Sequence, residues 1–181
     1  MPRYLTASDL RAQVPGHLNE RAALEKRATE ASVSQSVFLS HSSKDAEHLA
    51  GAIALLEKHG GMTYIDKKDA SLPPATDTST AEKLRQRIKD CRKFVILTSE
   101  NSKDSRWVPW ELGLADGHRT PANVAILPTV ISGDHKWTEQ EYLGLYRRIT
   151  YGKLEGHSGD VFMVWDHITN RASELSVWLR S

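Results

Sequence analysis

Four short apolar runs separated by segments of helical period constrain this chain more than any other feature. The runs are Ser36-Val37-Phe38-Leu39-Ser40, Met62-Thr63-Tyr64-Ile65, Phe94-Val95-Ile96-Leu97-Thr98 and Val124-Ala125-Ile126-Leu127-Pro128. They are apolar almost without interruption rather than at alternate positions, the pattern of strands covered on both faces. Between the first two, Ala46, Leu49, Ala50, Ile53 and Leu56 recur at helical spacing until Gly60-Gly61 stops them. Ser79-Thr80-Ala81-Glu82 has the form of a capping box and opens a second helix with Ala81, Leu84, Ile88 and Cys91 inward. Pro109 is tolerated only in a first turn, where its missing N–H leaves no bond unmade, so a third helix is predicted over residues 107–117. Strands alternating with helices imply an α/β fold, a parallel sheet with helices on both faces, and flavodoxin-like strand order is the first choice.

The flanks are read by the same rules. After the fourth run come a loop over residues 131–137 and a helix over 139–148, with Tyr142, Leu145, Tyr146 and Ile149 inward. A Gly-rich loop over 151–160, a fifth strand over 161–165 and a closing helix over 171–179 complete the expectation. Residues 1–35 are expected as an N-terminal helical extension and residues 36–181 as the domain proper. Leu18, Ala22, Leu24 and Ala28 give the extension only a thin apolar stripe, suited to docking on the domain or to an oligomer contact.

Composition narrows the function classes. A net charge of +1 argues against a nucleic-acid or membrane surface. No apolar run approaches the ~18 residues of a membrane span, and Met1-Pro2-Arg3-Tyr4-Leu5 does not open a signal peptide. The single cysteine, Cys91, excludes an internal disulfide framework and fits a reducing compartment, so a cytoplasmic location is expected. The eight histidines are scattered without zinc spacing, and glycine-rich dinucleotide and phosphate loops and a nucleophile elbow are all missing. Neither a metal nor a resident cofactor is expected.

In open α/β sheets ligands bind outside the carboxyl ends of the strands. Four polar loops meet there: residues 40–45, 66–78, 98–111 and 128–137. Within the third, Trp107 and Glu111 stand four apart and share a helix face, which sets a carboxylate beside an indole. A glutamate early in a helix is also favoured by the helix dipole alone, by about 0.3–1 kcal/mol. Tryptophans at helical spacing serve a core as readily as a ligand. Ser42 with Asp45 three residues later resembles a further capping box.

Taken in order, Phe38-Leu39-Ser40-His41-Ser42-Ser43-Lys44-Asp45, Tyr64-Ile65-Asp66, the run 94–98 and Ser105-Arg106-Trp107-Val108-Pro109-Trp110-Glu111-Leu112 resemble a Toll/interleukin receptor (TIR) domain over residues 36–137. Standalone bacterial anti-phage TIR proteins of the Thoeris type look most similar. The resemblance implies that residues 67–78 form the family's BB loop, which gates the pocket. It implies an enzyme that consumes NAD⁺ as substrate, with Glu111 as the essential carboxylate. Some such proteins make cyclic ADP-ribose isomers as messengers for a separate effector protein, and many need self-association to complete the site. Ser40, Ser42 and Lys44 could then hold the pyrophosphate at a helix N-terminus, and Asp66 could contact ribose hydroxyls or fix the loop. Trp107 could wall the nicotinamide, His41 could line the cleft, and Trp137 is similar in order to an aromatic residue that stacks on a base. Structural readings remain open at this point: capping for Ser42, a solvated loop for His41, core packing for Trp107. Two competing functions also remain open: a non-catalytic TIR adaptor, and a nucleoside 2-deoxyribosyltransferase-like enzyme of the same fold.

Overall fold

The computed structural model describes residues 2–14, 16, 18–34, 36–66, 78–100, 105, 107–131 and 141–181. In chain order its elements are β1 (Leu5–Thr6), α1 (Ala7–Arg11), α2 (Leu18–Glu30), β2 (Val37–Ser40), α3 (Ala46–Lys58), β3 (Thr63–Tyr64) and α4 (Thr78–Asp90). There follow β4 (Lys93–Thr98), α5 (Trp107–His118), β5 (Val124–Val130), β6 (Arg147–Lys153), β7 (Asp160–Asp166), β8 (Arg171–Glu174) and α6 (Leu175–Arg180). The sheet runs β3-β2-β4-β5-β6-β7-β8. From β3 to β6 every pairing is parallel, in the flavodoxin-like order expected.

Side-chain alternation divides the core between the two faces of the sheet. Val37, Leu39, Val95, Leu97, Ala125 and Leu127 pack with α3 and with Leu175, Trp178 and Leu179 of α6. Phe38, Phe94, Ile96, Val124 and Ile126 pack with Leu84 and Ile88 of α4 and with Val108, Leu112 and Ala115 of α5. Helix α3 is buried continuously from His48 to Leu56 because α1 and α2 cover the side that the sheet does not.

The C-terminal third departs from the expectation. Of the segment 139–148 expected as a helix, residues 139 and 140 lie outside the described residues, and 141–148 form no α-helix. Among those described, Glu141–Leu145 make a short 3₁₀ turn, and β6 begins at Arg147. Tyr142, Leu145, Tyr146 and Ile149 match helical spacing by coincidence. Leu143 is the buried residue of the turn and Leu145 is 66% exposed. The run Ile149-Thr150-Tyr151 is β-branched and aromatic, and the pairing of Arg147 with Ala125 and Arg148 with Ile126 captures it for the sheet. The last parallel strand is therefore β6, directly beside β5 and not displaced by an insertion. Residues 161–165 lie in β7, which returns antiparallel to β6 through a turn with Gly156 at φ +85°. Arg171–Glu174 adds a further antiparallel strand, and the closing helix starts only at Leu175.

The N-terminal segment is woven into this frame. Leu5 pairs with Thr129 and Thr6 with Val130, parallel to β5, while Arg3 and Tyr151 exchange backbone hydrogen bonds of 2.8 and 3.0 Å. Thr6 and Asp9 form a reciprocal capping box at the start of α1. The Arg3 guanidinium grips Asp9 through two hydrogen bonds of 2.7 and 2.9 Å. Leu10 lies against Gly51 of α3, where a β-carbon would sit 2.4 Å from the Leu10 carbonyl oxygen. Two helices cross here at a distance only glycine permits.

Candidate active site

Strand β2 has β3 on one side and β4 on the other, so the helices leaving β2 and β3 cover opposite faces of the sheet. At such a switch point the strand ends diverge and leave a crevice at their carboxyl edge. Ser40, the last residue of β2, points to the α5 face, as Phe38 does two residues earlier. Glu111 lies in the second turn of α5 and faces back toward the sheet. The Ser40 hydroxyl donates to Glu111 Oε2. Both are enclosed, Glu111 at 0% and Ser40 at 1% exposure. A carboxylate with no exposed surface is held in one orientation by a serine that the sheet itself positions. Glu111 is four residues beyond Trp107, so the helix that begins at Trp107 fixes the depth at which the carboxylate sits.

A second hydroxyl–carboxylate pair occupies the opposite face of the crevice. Ser99, the residue after β4, donates to Asp45 Oδ1 at the start of α3, and both are buried. This changes the expected capping of α3. Ser42 accepts the Lys44 backbone N–H at 3.3 Å and so caps only the single turn Ser43–Asp45. The Asp45 carboxylate turns inward to Ser99 instead of completing the box. Sequence reasoning did not single out Asp45 and Ser99, which the structure brings together. The available signal was the polar pair Thr98-Ser99 closing an otherwise apolar strand at the ligand-binding edge.

The remaining expected residues are distributed around this centre. His41 is half-buried with Nδ1 3.4 Å from the Leu39 carbonyl, and Lys44 is exposed in the turn beside it. Asp66 follows β3, one strand away, and its carboxylate accepts from Arg87 Nη1 at 3.0 Å and Tyr64 Oη at 3.4 Å. Arg87 also donates to the Tyr64 hydroxyl, and burial pushes that hydroxyl up to about 12. The end of β3 is thereby tied to α4 just before the loop expected to gate the pocket. Trp107 is half-buried and meets Trp110 edge-on at 5.5 Å, and the Arg85 guanidinium lies 5.6 Å from the Trp110 ring centre. Trp137, Arg106 and residues 67–77 fall outside the described residues. Among the described residues no group of three or more His, Cys, Asp or Glu could hold a metal ion. No described helix is long and apolar enough to cross a membrane.

The sequence profile of the TIR domain family matches residues 37–162, from the start of β2 into β7. This chain belongs to the TIR domain family. It is also 36% identical over 138 residues to the "probable 3′ cyclic ADP-D-ribose synthase ThsB′" of Bacillus cereus strain MSX-D12, across 75% of this chain and 69% of that protein. The matched range of this TIR domain contains both hydroxyl–carboxylate pairs and the parallel strands β2 to β6. It stops short of β8 and α6, and it leaves β1, α1 and α2 outside.

Proposed function

We propose that this TIR domain cleaves the nicotinamide–ribose bond of NAD⁺ and releases ADP-ribose or a cyclic ADP-ribose isomer, as a signal in bacterial anti-phage defence. The observation that carries the reading is Glu111, wholly enclosed and held by Ser40 at the switch-point crevice. The similarity to a protein named as a cyclic ADP-ribose synthase supports the same substrate and makes a cyclic product the first to look for.

The chemistry suits a single carboxylate. When the glycosidic bond breaks, its electron pair leaves with nicotinamide, which departs as a neutral pyridine without needing an acid. The ribose is left oxocarbenium-like and positive. Glu111, ionised and preoriented, stabilises that charge at the ribose and fixes the sugar. Capture by water, with loss of a proton, yields ADP-ribose. Capture by a hydroxyl or ring nitrogen of the same molecule yields a ring. Ser40 keeps the carboxylate in place, while Ser42 and Lys44, just before α3, are the candidates to hold the pyrophosphate at that helix N-terminus. Asp66, tied to Arg87, serves this reading best as an anchor of the gating loop. The activity depends on self-association, and a cyclic product would act on a separate effector protein.

The test is NAD⁺ consumption by the purified protein across a concentration series, with Glu111→Gln in parallel and products resolved by mass. Consumption in the parent alone supports the enzyme, and a product lighter than ADP-ribose by one water identifies cyclisation. Intact NAD⁺ at every concentration, together with no measurable NAD⁺ binding, overturns the reading and favours an adaptor that binds other TIR domains.

A further inference from the structure

Four buried threonine hydroxyls have no hydrogen-bond partner among the described residues: Thr63, Thr98, Thr129 and Thr150. A buried hydroxyl left unpaired opposes folding, so each calls for a reason. Three of them lie away from the Glu111 pair. Thr63 and Thr129 follow the alternation onto the α3 face, opposite to Glu111, and Thr150 belongs to β6, two strands beyond β4. Thr98 differs. It is the last residue of β4, at the carboxyl edge that borders the switch-point crevice, and it is 7% exposed. Alternation from Phe94 and Ile96 puts its side chain on the α5 face, where the Ser40 hydroxyl meets Glu111.

Register fixes its height. Ser40 is level with Ile96, so Thr98 stands two residues further along β4, about 6.6 Å toward the mouth of the crevice. That separation compares with the span from a ribose hydroxyl to the carboxamide of an attached nicotinamide. A neutral hydroxyl, able both to donate and to accept, matches an amide, which offers both an acceptor and a donor. Helix α5, which begins at Trp107, packs on this same face of β4 and brings Glu111 to Ser40.

We propose that Thr98 is a substrate-binding residue whose hydroxyl hydrogen-bonds the carboxamide of the nicotinamide group while Glu111 engages the ribose. The proposal rests on the NAD⁺-cleaving reading. The Thr98 hydroxyl has no partner among the described residues, and the carboxamide would supply one.

Thr98→Val and Thr98→Ser test it through NAD⁺ turnover, inhibition by free nicotinamide and thermal melting. Thr98→Val should lower kcat/KM about 10-fold, the weight of one neutral hydrogen bond, and weaken nicotinamide inhibition by a similar factor. Its melting temperature should hold or rise, since an unpaired buried hydroxyl has gone. Thr98→Ser should recover most of the loss. An active parent with an equally active Thr98→Val overturns the proposal and leaves the NAD⁺ reading intact. Lost turnover with unchanged nicotinamide inhibition removes the carboxamide assignment. A Thr98→Val protein that melts well below the parent shows the hydroxyl to be structural and overturns the proposal. A parent that neither consumes nor binds NAD⁺ overturns both readings together.

Discussion

Gly51→Ala should destabilise this protein, and the direction of the change carries the information. In a helix interior alanine is favoured over glycine by about 1 kcal/mol, so a Gly51 with free surroundings would gain stability from the change. Here the added β-carbon would stand 2.4 Å from the Leu10 carbonyl oxygen, 2.6 Å from its carbonyl carbon and 2.8 Å from its β-carbon. Two of these three atoms are backbone, which cannot rotate away as a side chain can. Either α1 shifts off α3, at the roughly 1–3 kcal/mol typical of overpacking, or it detaches. Detachment exposes Leu5 and Leu10, both now fully buried, at about 1.5–3 kcal/mol each. The freed residues regain chain entropy in partial compensation. A net loss of about 1–3 kcal/mol corresponds to a melting temperature lower by roughly 2–12 °C in a chain of this size. Thermal unfolding followed by tryptophan fluorescence, with amide exchange at residues 5–10, measures both parts. A melt that rises by a few degrees with undiminished protection would refute the close approach of α1 to α3.

Further outcomes follow from the site and from two titrating groups. Glu111→Gln keeps the acceptor for Ser40 but removes the charge, so NAD⁺ consumption should fall by about 10²–10³ with little change in melting temperature. The Arg3 guanidinium holds the Asp9 carboxyl at about 2, below the ordinary range. This contribution is complete above the ordinary carboxylate pKa near ~4 and is lost as pH falls through about 2. Asp9→Asn should flatten that part of the acid-unfolding curve, by a small amount because the pair is largely solvated. Burial, with Arg92, Arg147 and Arg119 nearby, lowers Lys93 from 10.5 to about 8. The folded protein therefore binds fewer protons than the unfolded chain between those values, and stability should rise with pH from about 8 to 10.5. Lys93→Met should abolish that rise in melts taken across the alkaline range.

The central βα units were legible because their residues agree at every level. Val37-Phe38-Leu39 and Phe94 to Leu97 are apolar without a break, the α3 face repeats at helical period, and Pro109 places a helix start. Glu111 and Ser40 were legible through the motif, although nothing in the sequence states that one donates to the other. Asp45 was hidden because its spacing from Ser42 suits a capping box, and local capping and a distant serine compete for the same carboxylate. Thr98 drew no notice because a threonine ending a strand is ordinary, and its place at the crevice edge with an unpaired hydroxyl is visible only in the structure. The C-terminal strands were misread where pairing outweighs periodicity, as at Arg148 and Ile149. Leu5 and Thr6 are too few to signal a strand, since their conformation comes from Thr129 and Val130.

That last pairing bears on how the chain acquires its structure. The partners of residues 3–6 are Thr129, Val130 and Tyr151, which are synthesised 124 to 148 residues after them. No local interaction can hold β1 in its place beforehand. Contacts of such sequence separation form late and slow the approach to the native state. A nascent chain thus carries Leu5 unpaired until β5 has been made, whereas Leu10 can meet Gly51 as soon as α3 forms. The final step of refolding should be the docking of this segment, and protection of the Arg3 and Leu5 amides should appear after that of β2 and β4.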